Sequence, residues 1–98
     1  MRVGDTAMSA NSSSWFVYML RCSDGSIYTG VSNDVSARVE KHNQGKGAVY
    51  TSGRRPVCLI YQEQYPDRSS ALRRENEIKR WGKKRKEDLA LRYHQSNL

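Results

Sequence analysis

The sequence predicts an α/β (α+β) fold, a small three-stranded sheet with helices packed on it in the order β-β-α-β-α-α. Three observations predict it. The runs Trp15-Phe16-Val17-Tyr18-Met19-Leu20 and Val57-Cys58-Leu59-Ile60-Tyr61 are apolar, rich in aromatic and β-branched residues, and of strand length. An Asp24-Gly25 pair separates the first run from Ile27-Tyr28-Thr29-Gly30-Val31, as a hairpin turn requires. Three further stretches carry apolar residues at helical spacing, the first two of them behind capping residues. At 98 residues the chain is a single domain. Its core is small, so every buried charge weighs on stability.

Residues 1–14 are small or polar without a period and are expected to form a loose tail; residues 95–98 form a second, and the domain spans 15–94. The run from Trp15 is expected to be a central strand, buried on both faces. A turn centred on Asp24-Gly25 sets Tyr18 a few residues off direct opposition to Tyr28, and sequence leaves open whether the two share a face. Ser32-Asn33-Asp34 would cap a helix over 34–44 that stops at Gly45. Val35 and Val39 anchor it, while Arg38 and His42, four apart, share a face bordering the buried side. Residues 45–55 read as a loop with three glycines, three cations and hydroxyls, ended by Pro56. A third strand, apolar on both faces, follows over 57–61. Tyr65-Pro66-Asp67 turns the chain, and Ser69 or Ser70 caps the next helix, which Gly82 breaks. A last helix over 84–94 would pack Leu89 and Tyr93 inward.

The helix at 71–81 has an odd register. At about 100° per residue, Ala71, Leu72 and Ile78 cluster on one side, with Arg73, Asn76, Glu77 and Arg80 on the other. Glu75 falls in the middle of the apolar arc, with Lys79 at its edge. A carboxylate aimed at a core is costly unless a cation, a metal or hydrogen bonds meet it.

The net charge is +7, and nine cations between 68 and 86 face only Glu75 and Glu77. That asymmetry points to a polyanion, although a solvated basic face is as good a reading of a bare charge run. A membrane surface is disfavoured, because no stretch joins a strong apolar stripe to a basic one. Cys22 and Cys58 lack metal-ligand spacing and are expected to be reduced. With no secretory or membrane-length apolar run, a cytoplasmic protein is the expectation.

Tyr18, Tyr28, Arg38, His42, Glu75 and Lys79 are the polar groups that fall where apolar ones are expected. Together they are what a phosphodiester hydrolase needs. A carboxylate can hold a hard divalent ion. A guanidinium can neutralise charge developing on phosphate. A phenol or imidazole can relay protons. Each has a plainer reading: strand tyrosines pack, helix Arg and His lie at surfaces, and Glu75 pairs with Lys79 at i,i+4.

Val17-Tyr18 and Tyr28-Thr29-Gly30, about ten residues apart, resemble the paired motifs of the GIY-YIG nuclease superfamily. Ser32-Asn33-Asp34, Arg38, the loop His42-Asn43-Gln44-Gly45-Lys46-Gly47 and the helix Ala71-Leu72-Arg73-Arg74-Glu75-Asn76-Glu77-Ile78-Lys79 extend the likeness to its small single-domain bacterial branch. Phe16 replaces the first glycine and Thr29 an isoleucine, neither a catalytic side chain. The resemblance implies an antiparallel sheet and metal-dependent DNA cleavage. It places one Mg²⁺ or Mn²⁺ on Glu75, the scissile phosphate on Arg38, Tyr18 and Tyr28 lining the site, His42 as a site member, and Gly30 where the backbone passes close.

The expected activity is therefore a metal-dependent endonuclease on DNA, or on RNA, acting alone or through a targeting partner as a monomer. Branched or damaged repair and recombination structures are the substrates considered. Lys46, Arg54, Arg55, Lys79, Arg80, Lys83, Lys84 and Lys86 would grip the backbone without sequence preference. The alternatives are a nucleic-acid-binding module of the same fold with little turnover, and a basic protein that docks on an acidic partner. Which of Tyr18, Tyr28 or His42 is the general base stays open.

Overall fold

The computed structural model describes residues 14–96, with side chains to residue 94. The expected tail at 1–13 and residues 97–98 lie outside the described part. Strand β1 (Trp15–Arg21) is central, with β2 (Ile27–Ser32) and β3 (Cys58–Tyr65) antiparallel on either side. Helices α1 (Val35–Asn43), the one-turn α2 (Val49–Ser52), α3 (Arg68–Lys79) and α4 (Lys83–Ser96) complete the chain.

The apolar run of β1 is central because it has two faces to bury. Val17 and Met19 join Ile60, Tyr61, Ala71, Ile78 and Ala90 in a core under α3 and α4. Tyr18 and Leu20 join Cys22, Val35 and Val57, with Phe16, Tyr28 and Val39 alongside, in a second core under α1. Leu89 and Tyr93 of α4 pack inward as their spacing predicts.

The hairpin pairs Tyr18 with Gly30 and Leu20 with Tyr28. That is one residue away from a turn symmetric about Asp24-Gly25. The difference decides the site, because a one-residue slip exchanges faces. In the observed register Tyr28 shares Tyr18's face; in the symmetric one it would not. Gly25 takes φ +86°, and Asp24 Oδ1 accepts from Ser26 N and Oγ at 3.0 and 2.6 Å, which closes the turn asymmetrically.

Four details differ from the sequence reading. Residues 45–55 contain the helical turn α2. Strand β3 runs on to Tyr65 and is an edge strand, so Cys58 and Leu59 are exposed rather than buried on both faces. Asp67, not a serine, caps α3, accepting from Ser70 N at 2.8 Å; Ser69 Oγ instead donates to that carboxylate. The last helix begins at Lys83 and runs through Ser96, so residues 95–96 are helical rather than tail.

Candidate active site

Asp34 caps α1, accepting from Ala37 N at 3.2 Å, and so fixes which residues of that helix face the sheet. His42 is fully buried and Arg38 half-buried. The Tyr18 hydroxyl lies 2.9 Å from His42 Nε2, and His42 Nδ1 lies 2.7 Å from Thr51 Oγ1. Thr51 Oγ1 in turn donates to the Ala48 carbonyl at 3.1 Å. The hydroxyl has one proton and a carbonyl can only accept. Nδ1 must therefore carry the imidazole proton and give it to Thr51, which leaves Nε2 bare to accept from Tyr18. The result is a directional chain, Tyr18 to His42 to Thr51 to Ala48.

Two glycines make room for it. A Cβ at Gly30 would stand 2.6 Å from the Tyr18 hydroxyl, and one at Gly47 would overlap His42 Nδ1. Neither gap admits a methyl group. Arg38 Nη2 donates to the Gly47 carbonyl at 3.0 Å, which ties guanidinium, loop and imidazole together. Asn43 clamps the start of β3, accepting from Val57 N at 2.7 Å and donating to its carbonyl at 3.0 Å.

The electrostatics single out Tyr18. Burial pushes its phenol up to about 12, Arg38 pulls it down through a hydrogen bond and its charge, and Tyr28 and Glu75 push it up. The charges of Arg38 and Glu75 and the Tyr28 phenol thus all act on the Tyr18 phenol. Burial, and then the Arg38 charge, lower the His42 pKa, so the ring is neutral near pH 7. Tyr28 sits against both, its ring 6.4 Å from Tyr18 and 5.0 Å from His42. Glu75, only 12 % exposed, meets Lys79 Nζ at 3.2 Å, so the i,i+4 pair is present alongside the convergence on Tyr18.

Among the described residues no three His, Cys, Asp or Glu side chains gather as a metal-binding group. Glu75 is a hard oxygen donor outside any such group. That suits Mg²⁺ or Mn²⁺, which hold to one or two carboxylates, substrate phosphate and water, and does not suit zinc.

The fold packs Tyr18, Tyr28 and His42 against one another, ties Arg38 to the same loop, and sets Glu75 where its charge acts on Tyr18. The cations scatter. Arg54 bonds Asp24 at 3.0 Å and the Tyr50 carbonyl at 2.8 Å, and Arg55 bonds the Ser52 carbonyl at 2.8 Å; both brace the loop. Lys46, Arg80, Lys83 and Lys84 are exposed, and Lys79 and Lys86 line a cavity beside Tyr28. Thr51 and Gly47 escaped the sequence reading as individual residues. The available signal was a hydroxyl run just after the Gly-Lys-Gly turn, nine residues beyond His42.

Comparison with known proteins identifies the family. The family model described as the GIY-YIG catalytic domain matches residues 14–88. A UPF0213 protein of Staphylococcus aureus strain Mu3 is 60% identical over 73 residues, 74% of this chain and 89% of its own. Two solution NMR structures are similar. The UPF0213 protein BH0048 from Bacillus halodurans is 45% identical with TM-score 0.50, covering 78% of this chain and 81% of that one. The protein EF2693 from E. faecalis is 38% identical with TM-score 0.58, covering 84% and 88%. No helix among the described residues is long and apolar enough to cross a membrane. The matched span takes in both strands of the hairpin, α1 and the whole of α3, and the chain belongs to the GIY-YIG family.

Proposed function

We propose that this protein is a metal-dependent endonuclease that hydrolyses DNA phosphodiester bonds. The observation that carries the reading is the directional chain from Tyr18 through His42 to Thr51, with the charges of Arg38 and Glu75 acting on its Tyr18 end. A phosphate at that end meets Arg38, whose guanidinium offsets the charge that builds on the phosphoryl oxygens. The Tyr18 oxygen takes a proton from the attacking water while Tyr18 passes its own proton to His42 Nε2, already hydrogen-bonded to it. Thr51 holds the imidazole in the only tautomer that can accept that proton. Tyr28, half-buried against both, covers the pair from solvent. A divalent ion on Glu75, when bound, supplies Lewis-acid stabilisation of the phosphate and leaving oxygen. Lys46 and Arg80 lie exposed to hold flanking phosphates, and Lys83 and Lys84, exposed in loose pairs with Glu87 and Asp88, can turn to join them.

The test is cleavage of plasmid and of forked, flapped and four-way DNA, with Mg²⁺, with Mn²⁺ and with neither. Wild type is compared with Tyr18→Phe, Arg38→Ala and Glu75→Ala. Metal-dependent nicking should fall by on the order of 10² to 10⁴ in each variant. Equal cutting by wild type and Glu75→Ala would sink the assignment. Tight, salt-sensitive binding without any cutting would favour a binding module of the same fold.

A further inference from the structure

A cavity of about 300 Å³ opens beside the catalytic groups, lined by Ile27, Tyr28, Thr29, Tyr50, Lys79 and Lys86. Of these side chains the cleavage chemistry uses only Tyr28. The walls divide into three chemistries. Ile27 and the two phenol rings give an apolar, aromatic wall, the rings stacked at 6.1 Å between centroids and 29° between planes. Tyr50 is 39 % exposed, beside Val49 at 92 %, so apolar surface is presented to solvent at the mouth of a site for a polyanion. The platform is braced, because the Arg54 guanidinium lies 4.0 Å from the Tyr50 ring centroid and is itself held by Asp24.

Lys79 and Lys86 bring two ammonium groups to the same cavity. Burial, and then the Lys79 charge, depress the Lys86 pKa. Among the described residues no carboxylate pairs with Lys86, while Lys79 has Glu75. Two cations this close are best satisfied by an anion between them. The third wall is Thr29, 3 % exposed, whose hydroxyl oxygen is buried without any hydrogen-bond partner. That oxygen is sealed from the cavity on the Met19 side of the strand, a local cost that the cavity does not relieve.

We infer that this cavity is a nucleotide subsite. It takes the unstacked base of the residue next to the scissile phosphate against Tyr28 and Tyr50, and that residue's backbone phosphate on Lys79 and Lys86. The volume lies at the small end of ligand pockets, which suits one nucleotide. A base still paired and stacked in a duplex cannot enter. The substrate class is therefore single-stranded or locally unpaired nucleic acid, gripped by stacking and charge without sequence readout. The word scissile rests on the nuclease reading; the subsite itself does not.

The test is fluorescence anisotropy of the full chain in EDTA, so that no cleavage is needed. A short labelled single strand is compared with the same strand in a duplex at one salt concentration. The single strand should bind about tenfold or more tighter. Tyr50→Ala should weaken single-strand binding by about tenfold and duplex binding by less than about twofold, and Tyr50→Phe should restore it. The fluorescence of 2-aminopurine in the strand should be quenched by wild type and not by Tyr50→Ala. Equal affinity for both forms, or equal loss of both in Tyr50→Ala, would overturn the subsite. A protein that binds this way yet cuts nothing with Mg²⁺ or Mn²⁺ keeps the subsite and loses the nuclease reading. One that cuts duplex and single strand alike, with Tyr50→Ala indifferent, keeps the nuclease and loses the subsite.

Discussion

Each face of the sheet buries a network of phenols, and the two are built oppositely. Under α1 the groups are neutral and aligned, Tyr18 giving to His42 and His42 to Thr51. Under α3 and α4 the centre is a charge. Glu63 collects the hydroxyls of Tyr61 and Tyr65, the latter at 2.6 Å, and Arg74 Nε at 2.7 Å. Burial pushes the Glu63 carboxyl up, but these donors outweigh it and hold it below the usual range. Burial, reinforced by Glu63, pushes Tyr65 up to about 12 and raises Tyr61 as well, so both stay protonated donors. Every lone pair there that matters is already met. A saturated charge network holds elements in place, whereas a neutral, directional chain of donors and acceptors can move a proton.

The largest effect that would test this contrast is Arg74→Ala. It strips Glu63 of its only cation among the described residues, removes the 3.0 Å bond to Glu77 and takes the guanidinium from the Trp81 ring, 5.2 Å away. Breaking a pair about one-fifth exposed on each side should cost about 3 kcal/mol, toward the lower end for buried pairs. In a domain this small that lowers Tm by more than about 10 °C. Cleavage per folded molecule, measured well below the new Tm, should hardly change. A variant that stays stable but loses cleavage would mean that the two faces are not separate in function.

A smaller effect should come from pH, and it sharpens the other half of the comparison. The folded pKa of His42 lies below its unfolded value of about 6.5, chiefly through burial. Between those two values the unfolded chain binds the extra proton. The stabilisation is therefore complete above about pH 6.5 and is lost as pH falls from there through the folded pKa, at no more than about 1.4 kcal/mol per pH unit. The groups facing the ring are Arg38 on its own helix, Tyr18 and Tyr28 on the strands, and Thr51. Urea midpoints across that window should fall toward acid in wild type and flatten in His42→Asn. The Glu63 carboxyl titrates below the usual carboxylate range, well outside that window. If His42→Asn keeps the wild-type slope, the ring is not the neutral acceptor that the proton chain requires.

The residues of the two networks were not equally legible in the sequence. Tyr18, Arg38, His42 and Glu75 could be found because each is polar at an apolar position, and that anomaly survives without coordinates. The hairpin and the central place of β1 followed from a run too apolar to be an edge. The shared face of Tyr18 and Tyr28 was not legible, since it hangs on one residue of register that Asp24 and Ser26 set through side-chain bonds. Thr51 and Tyr50 were hidden because residues 45–55 look like loop, and their one helical turn is held by tertiary partners. The Glu63 network was missed entirely: strand residues at i and i+2 of an edge strand give no signal until Arg74 arrives from α3.

The smallest expected effect is the most discriminating for Glu75, because its pair with Lys79 blurs the line between the two kinds of network. Lys79 is half exposed, so solvent screens the pair and it should contribute no more than about 0.5 kcal/mol. Glu75→Gln keeps the shape and removes the charge. Without metal, its Tm should therefore move by less than about 4 °C in either direction. With Mg²⁺ or Mn²⁺ the wild-type Tm should rise with ion concentration, as any ligand that favours the folded state requires, and the variant should show no such rise. A large metal-independent loss of stability would instead put Glu75 with Glu63, as a carboxylate retained for its cation, and would remove the ligand on which the cleavage proposal depends.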